Sequence, residues 1–344
     1  MNRRVATLLV ALTPIVVFGL LMSVIAVPFV SLGPGPTFNT LGQVQGKEVV
    51  DIKGTKVDPV SGHLNMTTVS QRDGLTLADA LRLWASGSEQ LVPRDVVYPP
   101  DRSKDQVDKD NDLEFKKSEE SAEFAALGYL KYPTAVTVLT ISDDGPSKGK
   151  LQENDAVTAV NGHPVATLDE FTGQLKATKP GDVVTLDYKR KNPQGSDKTE
   201  TVKITLGKNG DRDYGFLGVG VVQAPWAPFT IDFNLANIGG PSAGLMFSLA
   251  VIDKLTPGEL DGGKFVAGTG TIDAEGKVGP IGGITHKMFA AKDAGATVFL
   301  VPAANCAEAK TDGGQGLTLV KVGTLTEAVD GLNALNRGDQ PPSC

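Results

Sequence analysis

The sequence predicts a mixed α/β (α+β) protein built from an N-terminal hydrophobic helix, a small strand-rich module and a larger C-terminal domain. Three observations carry that expectation. After Met1-Asn2-Arg3-Arg4 no charged residue occurs until Lys47. From Thr134 to Leu206, β-branched runs are separated by Gly, Asn and Asp turns. Beyond Phe216, strand-like runs at 216–222, 229–233 and 265–272 are interleaved with helical spacing at 242–255 and 284–294.

The first segment reads as a membrane anchor. Val5 to Leu32 is mostly Val, Leu, Ile, Ala and Phe, enough for a spanning helix of about 20 residues, and Pro14 is tolerable inside one. We place the helix at 5–30. Arg3 and Arg4, with no nearby positive charge after the span, put a tail of residues 1–4 in the cytoplasm and the body outside. The alternative is a cleaved signal peptide with Val24-Ile25-Ala26 as its cleavage site, although its apolar region is usually only about 7–15 residues long.

Composition narrows the functional classes. Without Arg3 and Arg4 the chain holds 31 basic and 40 acidic residues, an acidic balance that argues against nucleic acid as a partner. Cys306 and Cys344 are the two cysteines. They can pair outside the cell, but a terminal cysteine is more often free. No Cys/His cluster suggests a metal, and His63, His163 and His286 are scattered. No cofactor is expected.

Residues 31–122 form the next segment. Ser31-Leu32-Gly33-Pro34-Gly35-Pro36 is a turn-rich exit, 62–69 alternates like a strand, and Leu75 to Trp84 reads as a short amphipathic helix. Residues 101–121 are dense in Asp, Glu, Lys and Ser and are expected to form an exposed linker.

The module at 123–207 carries a strand at 134–141, a turn at Asp143–Ser147, Leu151-Gln152-Glu153-Asn154-Asp155-Ala156-Val157, and then Val160-Asn161-Gly162. A helix at 168–177 and strands at 182–189 and 199–206 follow. This order resembles a PDZ domain, whose pattern includes L-x-x-G-D-x-I and V-N-G. Asn154 stands where that family usually has Gly, so the turn is expected to differ. The resemblance implies capture of a peptide C-terminus along a strand edge, with Leu127-Gly128-Tyr129-Leu130 as the carboxylate loop. An apolar helix end leading into a strand is an equally good reading of those four residues.

The third domain is expected at 211–335, with a tail at 336–344. Gly239-Gly240-Pro241-Ser242-Ala243-Gly244 opens the 242–255 helix. Pro suits a first helical position, and free N–H groups of Gly240, Ser242 and Ala243 there can stabilise an oxyanion. Ser242 is then either a nucleophile or an ordinary helix cap. On the later helix, Ile284, Met288 and Ala291 flank Lys287, whose burial would favour the neutral amine a serine needs as base.

These motifs resemble the proteolytic domain of Lon proteases. G-P-S-A-G is matched around Ser242, and P-I-G-G-h-x-x-K is matched from Pro280 to Lys287. Thr269 matches the threonine of the intervening T-G strand. The resemblance implies a Ser242–Lys287 dyad, Thr269 orienting the lysine, and a homo-oligomer, often a hexameric ring. Together with the anchor and the PDZ-like block, the chain resembles bacterial membrane-anchored, PDZ-containing Lon-like proteases. Gly239 departs from the Asp found in many Lon enzymes, so gating of the site is expected to differ. An AAA+ ATPase module is not expected here. Gly258 to Lys264 fits G-x-x-x-x-G-K, but Phe265 follows in place of Ser or Thr, between helix and strand rather than strand and helix. A Ser-His-Asp arrangement through His286 is disfavoured because adjacent helical residues point about 100° apart, so His286 and Lys287 cannot both face Ser242.

The expected activity is therefore ATP-independent hydrolysis of unfolded or extracytoplasmic polypeptides at the cell membrane. The competing expectations are a catalytically silent peptide-binding protein and an anchored assembly factor.

Overall fold

The computed structural model describes residues 3–87, 89–210, 213–236, 238–311 and 314–344. The chain begins with α1 (Arg3–Val24), followed by β1 (Phe29–Asn39), a small hairpin of β2 (Gln43–Val44) and β3 (Lys47–Glu48), β4 (Val50–Lys53) and β5 (His63–Arg72). Then come α2 (Leu77–Ser86), β6 (Gln90–Pro93), α3 (Arg94–Val97) and the long α4 (Lys104–Tyr129). The middle module holds β7 (Thr134–Ile141), β8 (Ala156–Val160), β9 (His163–Pro164), α5 (Leu168–Lys176), β10 (Val183–Lys189), β11 (Thr199–Thr205) and β12 (Val219–Pro225). The last part comprises β13 (Thr230–Phe233), α6 (Gly244–Leu255), β14 (Phe265–Gly268), β15 (Thr271–Ile272), β16 (Val278–Gly279) and α7 (Ile284–Asp293). It closes with β17 (Val298–Pro302), α8 (Cys306–Ala309), β18 (Thr318–Val322) and α9 (Leu325–Arg337).

The principal sheet overturns the expected serial arrangement of domains. Its strand order is β18-β17-β14-β5-β1-β6, so strands from residues 29–93 and 265–322 lie side by side. β5 runs parallel to β14, with Leu64 opposite Val266 and Met66 opposite Gly268. The separate β13–β4 pair makes the same connection, Ile231 lying opposite Ile52. One core joins Val49, Ile52, Leu64 and Met66 to Leu245, Phe247, Leu249 and Leu300. The segment expected to stand apart at 31–122 is thus half of the C-terminal domain, and the PDZ-like module is inserted between the halves. Sequence patterning could not reveal this, because a strand's partner is set by contacts hundreds of residues away.

The inserted module has its own sheet, β11-β10-β8-β7-β12, and its own core of Val136, Val160, Phe171, Leu186 and Ile204. Its final strand, β12, falls beyond the expected boundary at 207. Asn154 occupies the left-handed region (φ 69°), a conformation Asn tolerates better than most residues. The turn therefore keeps the shape that Gly would give it. Asn161 and Gly162, at φ 51° and 78°, form the tight turn that their sequence announces.

The linker expected at 101–121 is also corrected. It is the first two-thirds of α4, started by a capping box in which Ser103 and Gln106 satisfy each other's backbone N–H groups. Most of its charged residues face water, while Phe115, Ser118, Ala122 and Glu123 are buried and Glu119 and Glu120 half-buried. Phe115 meets Phe247 of α6 edge-on at 5.8 Å.

At the N-terminus, α1 stops at Val24, short of the expected 30. Val27 already donates to the Leu75 carbonyl, and Phe29 and Val30 pair with Pro93 and Val92. Among the described residues, no helix is long and apolar enough to cross a membrane. Met1 and Asn2 of the expected tail lie outside the described residues, as do the side chains of Val5, Ala6, Leu8 and Leu9. Asp211, where the third domain was expected to start, lies outside them as well. At the other end the 336–344 tail is fixed. Cys306 and Cys344 form a disulfide, the pairing that the sequence left open, and Lys321 N–H donates to the Pro342 carbonyl.

Candidate active site

Ser242 and Lys287 line a cleft of about 790 Å³, and the buried Thr269 contacts both of them. Ser242 lies in the turn before α6. The helix begins at Gly244 with Ala243 as N-cap, so Ser242 precedes the first helical turn instead of occupying it. Gly240 adopts φ 84°, which a residue with a Cβ would rarely adopt, and swings the chain into the turn.

Lys287 enters from α7. Ile284, Met288 and Ala291 are buried around it, and the lysine itself is 3% exposed. Its Nζ lies 2.7 Å from Ser242 Oγ and 2.9 Å from Thr269 Oγ1. Thr269, fully buried at the end of β14, donates in turn to the Ser242 carbonyl at 3.1 Å. Each member of the trio therefore touches both others. Among the described residues no acidic partner offsets the burial of the amine, and desolvation pushes its pKa down to about 8. A substantial neutral fraction then exists near neutral pH, and neutral Nζ can accept the Ser242 proton.

Of the expected oxyanion donors, the structure separates Gly240 from Ala243. Gly240 N–H donates to the Asn111 carbonyl of α4 at 2.9 Å and is not free in this conformation. Among the described residues, no backbone acceptor engages the N–H of Ser242 or Ala243. The Gly282–Gly283 turn on the opposite wall is held by Asn305, whose side chain accepts from Ile281 N–H at 3.0 Å and donates to the Ile281 carbonyl at 2.9 Å.

The remaining expected residues lie elsewhere. Leu127, Gly128 and Tyr129 are the last turn of α4 and Leu130 its C-cap. Leu127 is fully buried in the principal core, so the helix-end reading replaces the carboxylate loop. His286 is next to Lys287, but its ring lies by Gly283, 3.7 Å from where a Cβ there would stand; burial lowers its pKa, and among the described residues no hydrogen bond joins it to Ser242. Lys264, which ends the G-x-x-x-x-G-K match, reaches Asn336 at 3.3 Å in the loop between α6 and β14. Among the described residues, no cluster of His, Cys, Asp or Glu can hold a metal ion.

Several lining residues escaped the sequence reading. Met66 and Thr68 come from β5, and Asn111 and Phe115 from α4. The capping box at Ser103 is a local signal that could have revealed α4. No local signal places β5 beside the serine.

Comparison with known proteins agrees with this geometry. Residues 107–206 match the PDZ domain family, and residues 237–329 match the Lon protease (S16) C-terminal proteolytic domain. The Lon protease of Roseiflexus castenholzii is 47% identical over 66 residues, 19% of this chain and 8% of that protein. Lon protease 2 of Herpetosiphon aurantiacus is 36% identical over 110 residues, 30% of this chain and 13% of that protein. A DegP-like periplasmic serine endoprotease of Pseudomonas fluorescens is 38% identical over 104 residues, 27% of this chain and 22% of that one. The PDZ domain of the SdrC-like protein of Listeria monocytogenes shares 27% identity with a TM-score of 0.23, covering 26% of this chain and 87% of that domain. The chain therefore carries a Lon-type serine peptidase domain together with a PDZ domain. It spans 8% of the length of the Lon proteases of R. castenholzii and Clostridioides difficile.

Proposed function

We propose that the protein is a serine endopeptidase in which Ser242 attacks the scissile carbonyl and Lys287 takes the proton and returns it to the leaving amine. The carrying observation is the 2.7 Å approach of Nζ to Oγ by an amine that is almost fully buried and has no counter-ion among the described residues. Thr269 keeps Nζ aimed at Oγ. The Ser242 and Ala243 N–H groups supply the oxyanion contacts, a type of interaction worth about 3–4 kcal/mol per donor. Metal and cofactor have no role in this scheme. Purified Ser242→Ala and Lys287→Ala proteins are expected to lose cleavage of unfolded casein, in the absence of ATP, by at least about a thousand-fold. Turnover at the parent rate in either variant would sink the dyad, and peptide binding without turnover in the parent would favour a silent binding protein.

We further propose that substrates are unfolded polypeptides outside the cytoplasm, with α1 holding the protein at a membrane. Its composition supports this: no charge follows Arg4 in the helix, and Val10, Ile15, Val16, Phe18 and Leu20 are exposed in the single chain. Resistance to alkaline carbonate extraction is the expected result, and release into the wash would remove the anchor from the proposal. For the PDZ domain, the open edge of β12 beside α5 is the proposed place for an extended peptide to add as a strand. Assembly into a hexameric ring is proposed from the Lon resemblance and is tested by light scattering.

A further inference from the structure

We infer that α4 is a brake on the catalytic serine, with Asn111 and Ser118 as positioning residues and the PDZ domain holding the other end of the helix. The inference rests on Ser242 being the nucleophile. The first two-thirds of α4 grips the nucleophile turn twice: the Asn111 carbonyl accepts the Gly240 N–H at 2.9 Å, and Ser118 Oγ donates to the Pro241 carbonyl at 3.0 Å. These bonds fix the two residues immediately before Ser242. They also withhold one N–H from any oxyanion that forms there.

The C-terminal end of the same helix keeps Ala125, Ala126 and Leu127 in the principal core but also touches the PDZ side. Glu123 is ion-paired with Lys191, from the connection between β10 and β11, and both side chains are only 10% exposed. A Cβ placed on Gly128 would sit 3.4 Å from Pro225 Cγ, the last residue of β12. Directly after it, Trp226 N–H donates to the Pro133 carbonyl at 2.9 Å. The open strand edge, the end of α4 and the nucleophile turn are thus joined by one continuous helix, with about 18 Å between Asn111 and Glu123 at 1.5 Å per residue. A packed helix shifts by about 1–2 Å between alternative arrangements, which is enough to break a 2.9 Å hydrogen bond. A shift of α4 driven from the PDZ end frees the Gly240 N–H to join those of Ser242 and Ala243.

The test perturbs each end of the helix without touching Ser242, Thr269 or Lys287. In the full-length protein, Lys191→Met removes the PDZ tether and Ser118→Ala weakens the grip on the turn, while Lys191→Arg and Ser118→Thr retain them. Amide exchange at Gly240, followed in peptides covering 238–245, is expected to quicken in the first pair and to match the parent in the second. Turnover of casein is expected to rise three- to ten-fold in the first pair, with KM and the pH profile unchanged because Lys287 keeps its surroundings. Unchanged Gly240 exchange in both Lys191→Met and Ser118→Ala overturns the coupling whatever happens to turnover, and quicker exchange with equal or lower turnover overturns the braking role. If Lys191→Met unfolds, Ser118→Ala alone decides. Because exchange needs no catalysis, failure of the Ser242 assignment would show separately, as full activity in Ser242→Ala.

Discussion

In the proposed dyad, Lys287 is costly for the fold and useful for chemistry. Its pKa of about 8 lies below the ordinary 10.5 because burial disfavours the charged amine. Two pH effects follow. The base must be neutral, so kcat/KM should climb roughly tenfold per pH unit below about 8 and level off above it; a profile flat from pH 6 to 9 would contradict the role. For stability, the unfolded chain holds a proton that the native state releases between about pH 8 and 10.5. Lysine burial is therefore most costly below 8, and the cost fades as pH rises. At pH 7 the shift corresponds to about 3 kcal/mol, and Lys287→Met should raise the unfolding midpoint even as it abolishes activity. Thermal melts of the two proteins at pH 7 and pH 10 check this, the gap being expected to narrow at the higher pH. Ser242 and Lys287 were legible in the sequence because their motifs occur in order. The fate of the Gly240 N–H was not, since its acceptor is a backbone carbonyl, which carries no residue signature.

Among the elements, α6 and α4 were read with different success. α6 shows sustained apolar spacing and is buried almost all round, so its existence followed from its sequence. At its far end, Asp253 is fully buried, accepts Leu260 N–H at 2.7 Å through Oδ1 and has no partner for Oδ2. Burial, reinforced by Asp261, Glu259 and Asp58, pushes this carboxyl up to about 6. A raised folded pKa gives stability that is fully present below the unfolded value near 3.8 and is lost as pH rises through about 6. Asp253→Asn should remove that slope and stabilise the protein by about 1–3 kcal/mol at pH 7.5, measured by urea midpoints from pH 4 to 8; an unchanged slope would refute it. α4 misled the reading because its buried stripe consists largely of Ser118, Ala122 and other small residues amid charge. Such a stripe contributes little to apolar periodicity, yet it lets two helices approach closely: a Cβ on Gly244 of α6 would stand 2.9 Å from Ser118 Oγ.

For the whole molecule, the insertion of one domain within another sets the largest expectations. A fragment starting at residue 123 contains every motif of the site but lacks β1, β4, β5 and β6, and so half of the principal sheet. It should fail to give a cooperative melt, whereas the full chain should melt cooperatively; a folded, active fragment would refute the shared core. The Cys306–Cys344 bond closes a segment of sequence separation 38 and ties the C-terminal tail beside β18. Its loss in Cys344→Ser should cost about 2–4 kcal/mol, seen as a lower melting point that reductant no longer changes. By itself the sequence determined the local settings of the proposed chemistry: the turn that carries Ser242, the helix that carries Lys287, the strand that leads to Thr269 and the PDZ turns. Each is written in a few adjacent residues whose backbone preferences and spacing act locally. Only the tertiary structure decided that residues 29–93 complete the peptidase sheet, that the charged stretch is a helix gripping the serine turn, and that Gly240 is engaged there. Strand partners and helix contacts arise from burial between distant segments, and that energy belongs to the pair rather than to either sequence alone.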